Sequence, residues 1–119
     1  MKPGAKILVI DDNADFRHVL KTVLEGKGHF VFQAGDGEEA LEQMGRTAFN
    51  MAIVDLDMPR MNGIEFSKRA KKKNPQFPII MVTAFASFYS PADILASGVD
   101  AFLQKPVDLE TLSKAVDRL

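Results

Sequence analysis

Among the side chains of this sequence that could do chemistry, carboxylates stand out by their placing. Asp11 and Asp12 directly follow the apolar run Lys6-Ile-Leu-Val-Ile10, and Asp55, with Asp57 two residues on, directly follows Met51-Ala-Ile-Val54. Two further apolar blocks lead into Thr83-Ala84 and Lys105-Pro106. In an open α/β sheet, ligands bind beyond the carboxyl ends of the strands, where the winding reverses, so these positions would share one mouth. Several carboxylates gathered there repel one another strongly unless a cation sits among them. An all-oxygen donor set without His or Cys suits a hard ion, Mg²⁺ or Mn²⁺. A lysine at a buried strand end adds a place for an anion that comes and goes, such as a phosphoryl group. Each aspartate alone has a plainer role as a helix cap or a solvated loop acid. The argument rests on the set.

The elements that must position this set alternate along the chain. Lys6–Ile10 is a short continuous apolar run, the mark of a strand covered on both faces. Phe16, Val19, Leu20, Val23 and Leu24 form one face of a helix, which Gly26 and Gly28 end. His29 to Ala34 predicts a second strand. Asp36 caps a helix through Gly45 or Arg46 that buries Ala40, Leu41 and Met44. Met51–Val54 is a third strand, followed by the acidic, Pro- and Gly-bearing loop from Asp55 to Gly63 and a basic helix from about Gly63 to Lys73. Pro78–Val82 is a fourth strand. Ser90-Pro91-Ala92-Asp93 opens a brief helix with a cap, a proline and an acid in its first turn, and Gly98 closes it. Ala101–Leu103 is a fifth strand. Asp108 caps a last helix with Leu109, Leu112, Ala115, Val116 and Leu119 on one face. Five β-then-α units with buried strands predict an α/β fold, a doubly wound parallel sheet with helices on both faces.

Composition narrows the function classes. The chain has 119 residues, 46% hydrophobic and 26% charged, which is ordinary for one folded domain. It holds no cysteine, which excludes thiol catalysis, thiolate metal sites and a disulfide scaffold. A net charge of -1 offers nucleic acid no global positive field. No apolar run approaches the ~18 residues of a membrane span, and no signal-peptide core opens the sequence. No linker, repeat or low-complexity stretch interrupts it, and the last helix leaves no room for a second domain. The expectation is a cytoplasmic, soluble single domain over residues 1–119, without direct nucleic-acid or membrane binding.

Four pieces, each at the end of its expected strand, carry a family resemblance over the whole chain. They are Asp11-Asp12, Asp55-Leu-Asp-Met-Pro-Arg-Met-Asn-Gly63, Thr83-Ala84 and Gly98-Val-Asp-Ala-Phe-Leu-Gln-Lys-Pro106. The sequence resembles the CheY-like response-regulator receiver domains of two-component signalling. That resemblance implies a flavodoxin-like sheet in the order 2-1-3-4-5 and a phosphoryl group passed from a sensor histidine kinase or phosphotransfer protein. By motif position Asp55 resembles the phosphoacceptor. Asp12 and Asp55 would bind Mg²⁺ directly together with the main-chain carbonyl of Asp57, and Asp11 would help through water. Thr83 and Lys105 would bind the phosphoryl oxygens. Phe102 corresponds to the switch aromatic, and Lys105-Pro106 to a peptide bond that is usually cis in the family. The family's output face, the fourth helix, fifth strand and fifth helix, would serve a partner or a homodimer. Two family positions that influence how long the phosphoryl group lasts hold Asp57 and Phe85 here.

Other readings weigh less. Asp55-Leu-Asp57 also resembles the nucleophile motif of haloacid-dehalogenase-type phosphatases, but Pro59 stands where that family has Thr or Val, and its acidic metal pair comes later in the chain. A flavodoxin-like electron carrier would need a Ser/Thr/Gly-rich phosphate loop after the first strand; none follows, nor does Gly-x-Gly-x-x-Gly or Gly-Lys-Ser/Thr. A receiver belonging to a hybrid sensor kinase fits the residues equally well. His18 and His29 have no carboxylate partner at metal spacing and are read as structural or surface residues. The basic run Lys68-Arg-Ala-Lys-Lys-Lys73 is read as a solvated helix face. Met58 and Met61 are read as packing. Phe85, Phe88 and Tyr89 either pack over the short fourth helix or form a partner surface.

Overall fold

The computed structural model describes residues 1–84 and 89–119. Ten elements alternate: β1 (Lys6–Ile10), α1 (Ala14–Gly26), β2 (Phe30–Ala34), α2 (Gly37–Met44), β3 (Met51–Asp55), α3 (Gly63–Lys73), β4 (Ile79–Thr83), α4 (Pro91–Ala96), β5 (Ala101–Gln104) and α5 (Leu109–Arg118). The strands form one parallel sheet in the order β2-β1-β3-β4-β5. The expected class and winding are both met.

Strand periodicity explains the layers. Leu8, Ile10, Ala52, Val54, Ile79 and Met81 point to the face covered by α2, α3 and α4, where Ala40, Phe66, Ala70 and Ile94 meet them. Ile7, Val9, Met51, Ile53, Ile80 and Val82 alternate to the other face, against Leu20 and Leu24 of α1 and Leu112 and Val116 of α5. The three central strands are therefore apolar at almost every position, as a doubly covered sheet requires. The edge strands β2 and β5 are only partly buried.

The helix starts follow their caps. Asp36, Ser90 and Asp108 each accept a backbone N–H from the first turn, and Ser90 and Asp93 form a reciprocal capping box. Asn13 and Asn62 cap α1 and α3 in the same way. Element ends differ from expectation by a residue or so. The second strand begins at Phe30 because His29 turns inward: its Nδ1 accepts the Ala5 N–H at 3.3 Å. Four expected core positions are corrected. Val19 is 43% exposed and Leu109 37% exposed, and Leu41 and Met44 are only half-buried. One helix on a sheet buries a narrow arc, and residues at the edge of an apolar stripe fall outside it. Lys71, at the end of α3, pairs with Asp100 at 3.0 Å, and Asp100 also accepts the Ile79 N–H, so the rest of the basic run alone forms the solvated face. Met58 and Met61 are buried, as expected.

Candidate functional site

Register brings the candidate residues to one level. Ile10 pairs with Val54, Asp55 with Val82, and Thr83 with Gln104, so Asp11, Asp55, Thr83 and Lys105 all stand at or just beyond the same sheet edge. The Lys105 N–H donates to the Thr83 carbonyl at 2.7 Å, which continues the ladder to the mouth. Carboxylate oxygens of Asp11, Asp12 and Asp55 all lie within 4.8 Å of one another. Asp11 and Asp55 are buried, whereas Asp12 is exposed and opens the cluster to solvent.

Lys105 is the counter-charge. Its ammonium lies 3.0 Å from Asp11 Oδ2 and 3.5 Å from Asp55 Oδ1. Burial alone would lower the lysine's pKa, but its hydrogen bond to Asp11 and the charges of Asp55 and Asp11 hold it above the ordinary value. Asp55 moves the other way relative to most surface carboxylates. Burial, with the neighbouring Asp11 charge, pushes its pKa up from 3.8 to about 6, against the opposing pull of Lys105. A carboxylate held in that state favours any cation that enters beside it. The donors are all oxygens, clustered and partly open, so the residues fit a hard divalent ion.

Thr83 is buried, with its Oγ1 donating to the Ala84 carbonyl at 3.2 Å. Asp57 has an exposed side chain in the loop after β3, and its charge adds to the upward push on Asp55. Phe102 is half-buried on β5, opposite Met81, and packs against the core on the α2–α4 face. The Lys105-Pro106 bond is cis. Phe85 and Phe88 lie outside the described residues; Tyr89 is 38% exposed, and its hydroxyl accepts a hydrogen bond from Asn62 Nδ2 at 3.0 Å.

Several residues of the site are invisible to motif reading. Arg17 donates from Nη1 to the Asp11 carbonyl at 2.6 Å and from Nε to Gln33 Oε1 at 3.0 Å, tying β1, α1 and β2 together under the mouth. The Asn13 N–H donates to Asp11 Oδ1 at 2.9 Å. Phe16, read from its spacing as a core residue, also places its ring 4.5 Å from the Lys105 ammonium. Arg60 holds a left-handed backbone (φ 67°) and pairs with Asp36 at 2.7 Å, joining the loop after β3 to the cap of α2. Gly63 is required by contact: a Cβ there would lie 2.6 Å from the Asp55 carbonyl oxygen.

The fold and this site together define a doubly wound α/β domain with an acidic, lysine-gated strand mouth. The chain belongs to the response regulator receiver domain family, which it matches over residues 7–117. It is 33% identical over 114 residues to the two-component response regulator PhoP of Pseudomonas aeruginosa, an alignment covering 96% of this chain and 51% of PhoP. It is also 33% identical over 112 residues to the transcriptional regulatory protein ZraR of Escherichia coli, covering 94% of this chain and 25% of ZraR. Its structure superposes on the chemotaxis response regulator CheY4 of Vibrio cholerae with a TM-score of 0.88 and 34% identity, covering 97% of this chain and 98% of CheY4. The chain thus spans about half the length of PhoP, a quarter of ZraR and nearly the whole of CheY4. Among the described residues, no helix is long and apolar enough to cross a membrane.

Proposed function

We propose that residues 1–119 act as one receiver module that takes a phosphoryl group onto Asp55 from a phosphohistidine of a sensor histidine kinase or phosphotransfer protein. The observation that carries this is the Lys105 ammonium held between two buried carboxylates at a three-carboxylate mouth. An Asp55 oxygen attacks phosphorus, the P–N bond breaks, and the histidine nitrogen leaves with the bonding pair, giving an acyl phosphate. Negative charge spreads over the equatorial oxygens of the transition state, so positioned cations and donors do most of the work. Lys105 meets that charge with its ammonium and Thr83 with its hydroxyl. Asp12, Asp55 and the Asp57 carbonyl, with Asp11 through water, would hold Mg²⁺ (or Mn²⁺), which supplies charge neutralisation at the phosphoryl oxygens. The domain is a signalling part and not a turnover enzyme, working in the cytoplasm without contacting nucleic acid or membrane itself.

Thr83 and Phe102 form the switch in this reading. The phosphoryl group draws Thr83 toward the mouth, and Phe102 turns inward to fill the space left behind it, because a dry void forfeits packing contacts. The face of α4, β5 and α5 then changes for a partner protein or a second copy. Support comes from the half-buried state of Phe102 and from apolar groups already displayed on these elements, Leu95 at 54% and Leu109 at 37% exposure.

Acetyl phosphate with Mg²⁺ tests the first step. Mass spectrometry should find one added phosphoryl group that hydroxylamine removes, and Asp55→Asn or excess chelator should abolish it. Phosphorylation at an unchanged rate in either case would refute the assignment. For the switch, beryllofluoride should shift Phe102 and the α4–β5–α5 face in NMR spectra; shifts confined to the Asp55 pocket would reject it.

A further inference from the structure

Among the described residues, the Lys105 ammonium has three charged or aromatic neighbours: Asp11 at 3.0 Å, Asp55 at 3.5 Å, and the Phe16 ring centroid at 4.5 Å. The two carboxylates do not hold it evenly, since only Asp11 accepts a full hydrogen bond. Lysine is a point charge on a flexible four-carbon stem, free to settle on its nearest anion. Two carboxylates alone fix its distance from two points and leave its swing about them open.

An aromatic face adds a third point of hold in a way no third carboxylate could. Its quadrupole attracts a cation, yet it has no lone pair in the plane of contact and takes no proton. The ring therefore holds the ammonium while leaving its three N–H donors free for Asp11, Asp55 and an arriving phosphoryl oxygen. The ring is itself anchored. The Phe16 N–H donates to the Asn13 cap at 3.1 Å, its side chain packs half-buried on the α1–α5 core, and Arg17 ties the same turn to the Asp11 carbonyl. We propose that Phe16 is a positioning residue for phosphoryl transfer, its ring face fixing Lys105 over Asp55. This rests on the phosphoacceptor reading above.

Packing is the competing role, and fluorination separates the two. Phe16 in the full chain is replaced site-specifically by phenylalanine carrying one, two and three ring fluorines, which drain the π face with little change of volume. Phosphorylation by acetyl phosphate is timed at saturating Mg²⁺; the P–O bond to acetate breaks, the bond to the Asp55 oxygen forms, and acetate leaves. The rate should fall stepwise along the series, by about three- to tenfold in all, with Phe16→Tyr near wild type and Phe16→Leu at the bottom. Urea midpoints should stay level across the fluorinated set. Rates indifferent to fluorination, whatever the rate of Phe16→Leu, would overturn the proposal while leaving Asp55 as acceptor. An NMR measurement stands apart from the chemistry. The Lys105 ε-methylene protons should carry an upfield ring-current shift that Phe16→Leu removes, and its absence in the wild-type chain would also overturn the proposal. If that shift is present but the wild-type chain gains no phosphoryl group, the phosphoacceptor reading falls, and the transfer role of Phe16 falls with it.

Discussion

Replacing Asp55 with asparagine should make the domain more stable, and by an amount that depends on pH. The wild-type carboxylate is 4% exposed and shares one ammonium with Asp11, so ionising it in the folded chain is uphill. Its folded pKa of about 6 stands above the ordinary 3.8. Between those values the folded state binds more protons than the unfolded one, so stability falls as pH rises from about 4 to about 6 and levels off above. The interval corresponds to about 3 kcal/mol at about 1.4 kcal/mol per tenfold in ionisation. Asp55→Asn keeps the shape and removes the charge. It should gain about 2–3 kcal/mol over wild type at pH 7 and nothing below pH 4, read as the difference in urea-unfolding free energy. Millimolar Mg²⁺ should narrow the gap by stabilising the wild type alone, since binding to the folded state is linked to stability. A variant no more stable than wild type at pH 7, or a difference that ignores pH, would refute the electrostatic reasoning.

Other outcomes follow from single contacts. Gly63→Ala should lose about 2–3 kcal/mol and slow phosphorylation, because the added methyl meets the Asp55 carbonyl at 2.6 Å and the Leu56 Cα at 2.9 Å, both backbone; urea unfolding and acetyl phosphate kinetics check it. Ser67→Ala should gain about 1 kcal/mol, since Ser67 Oγ is fully buried in α3 without a hydrogen-bond partner among the described residues, and the urea midpoint reads it directly. His29 titrates below its ordinary value through burial and then the Lys27 charge, so its share of stability is present above pH 6.5 and is lost as pH falls through the lower folded value. In an Asp55→Asn background, His29→Gln should flatten that acid-side loss in urea-unfolding curves taken from pH 7 to pH 5.

Much of this fold was written in local pattern. Continuous apolar runs in the central strands and the caps at Asp36, Ser90 and Asp108 are local signals, and all appear where the sequence put them. The gathering of Asp11, Asp12, Asp55 and Lys105 was legible because strand ends of a parallel sheet share one edge. What stayed hidden depends on partners far along the chain. Phe16 lies on an apolar stripe and looks like core until Lys105 is placed over it. The Arg17 guanidinium needs acceptors at Asp11 and Gln33, which only the pairing of β1 with β2 sets beside it. Val19 shows the reverse error: a helical stripe gives its phase, while the width of the buried arc is set by the sheet beneath.

The contact between Lys105 and Asp11 joins residues 94 positions apart, and that span bears on how the chain reaches its native state. Every strand pairing here is parallel and so non-local, and non-local closure is slow because loop entropy is spent before contacts reward it. A sheet of β2, β1 and β3 alone would crowd Asp11, Asp12 and Asp55 together without their neutralising lysine. Such a partial structure would be electrostatically self-opposed, and the docking of β5 would relieve it. The same geometry that readies the mouth for an incoming anion thus ties charge balance to the docking of β5, and a fragment ending before Lys105 would carry the acids without their cation.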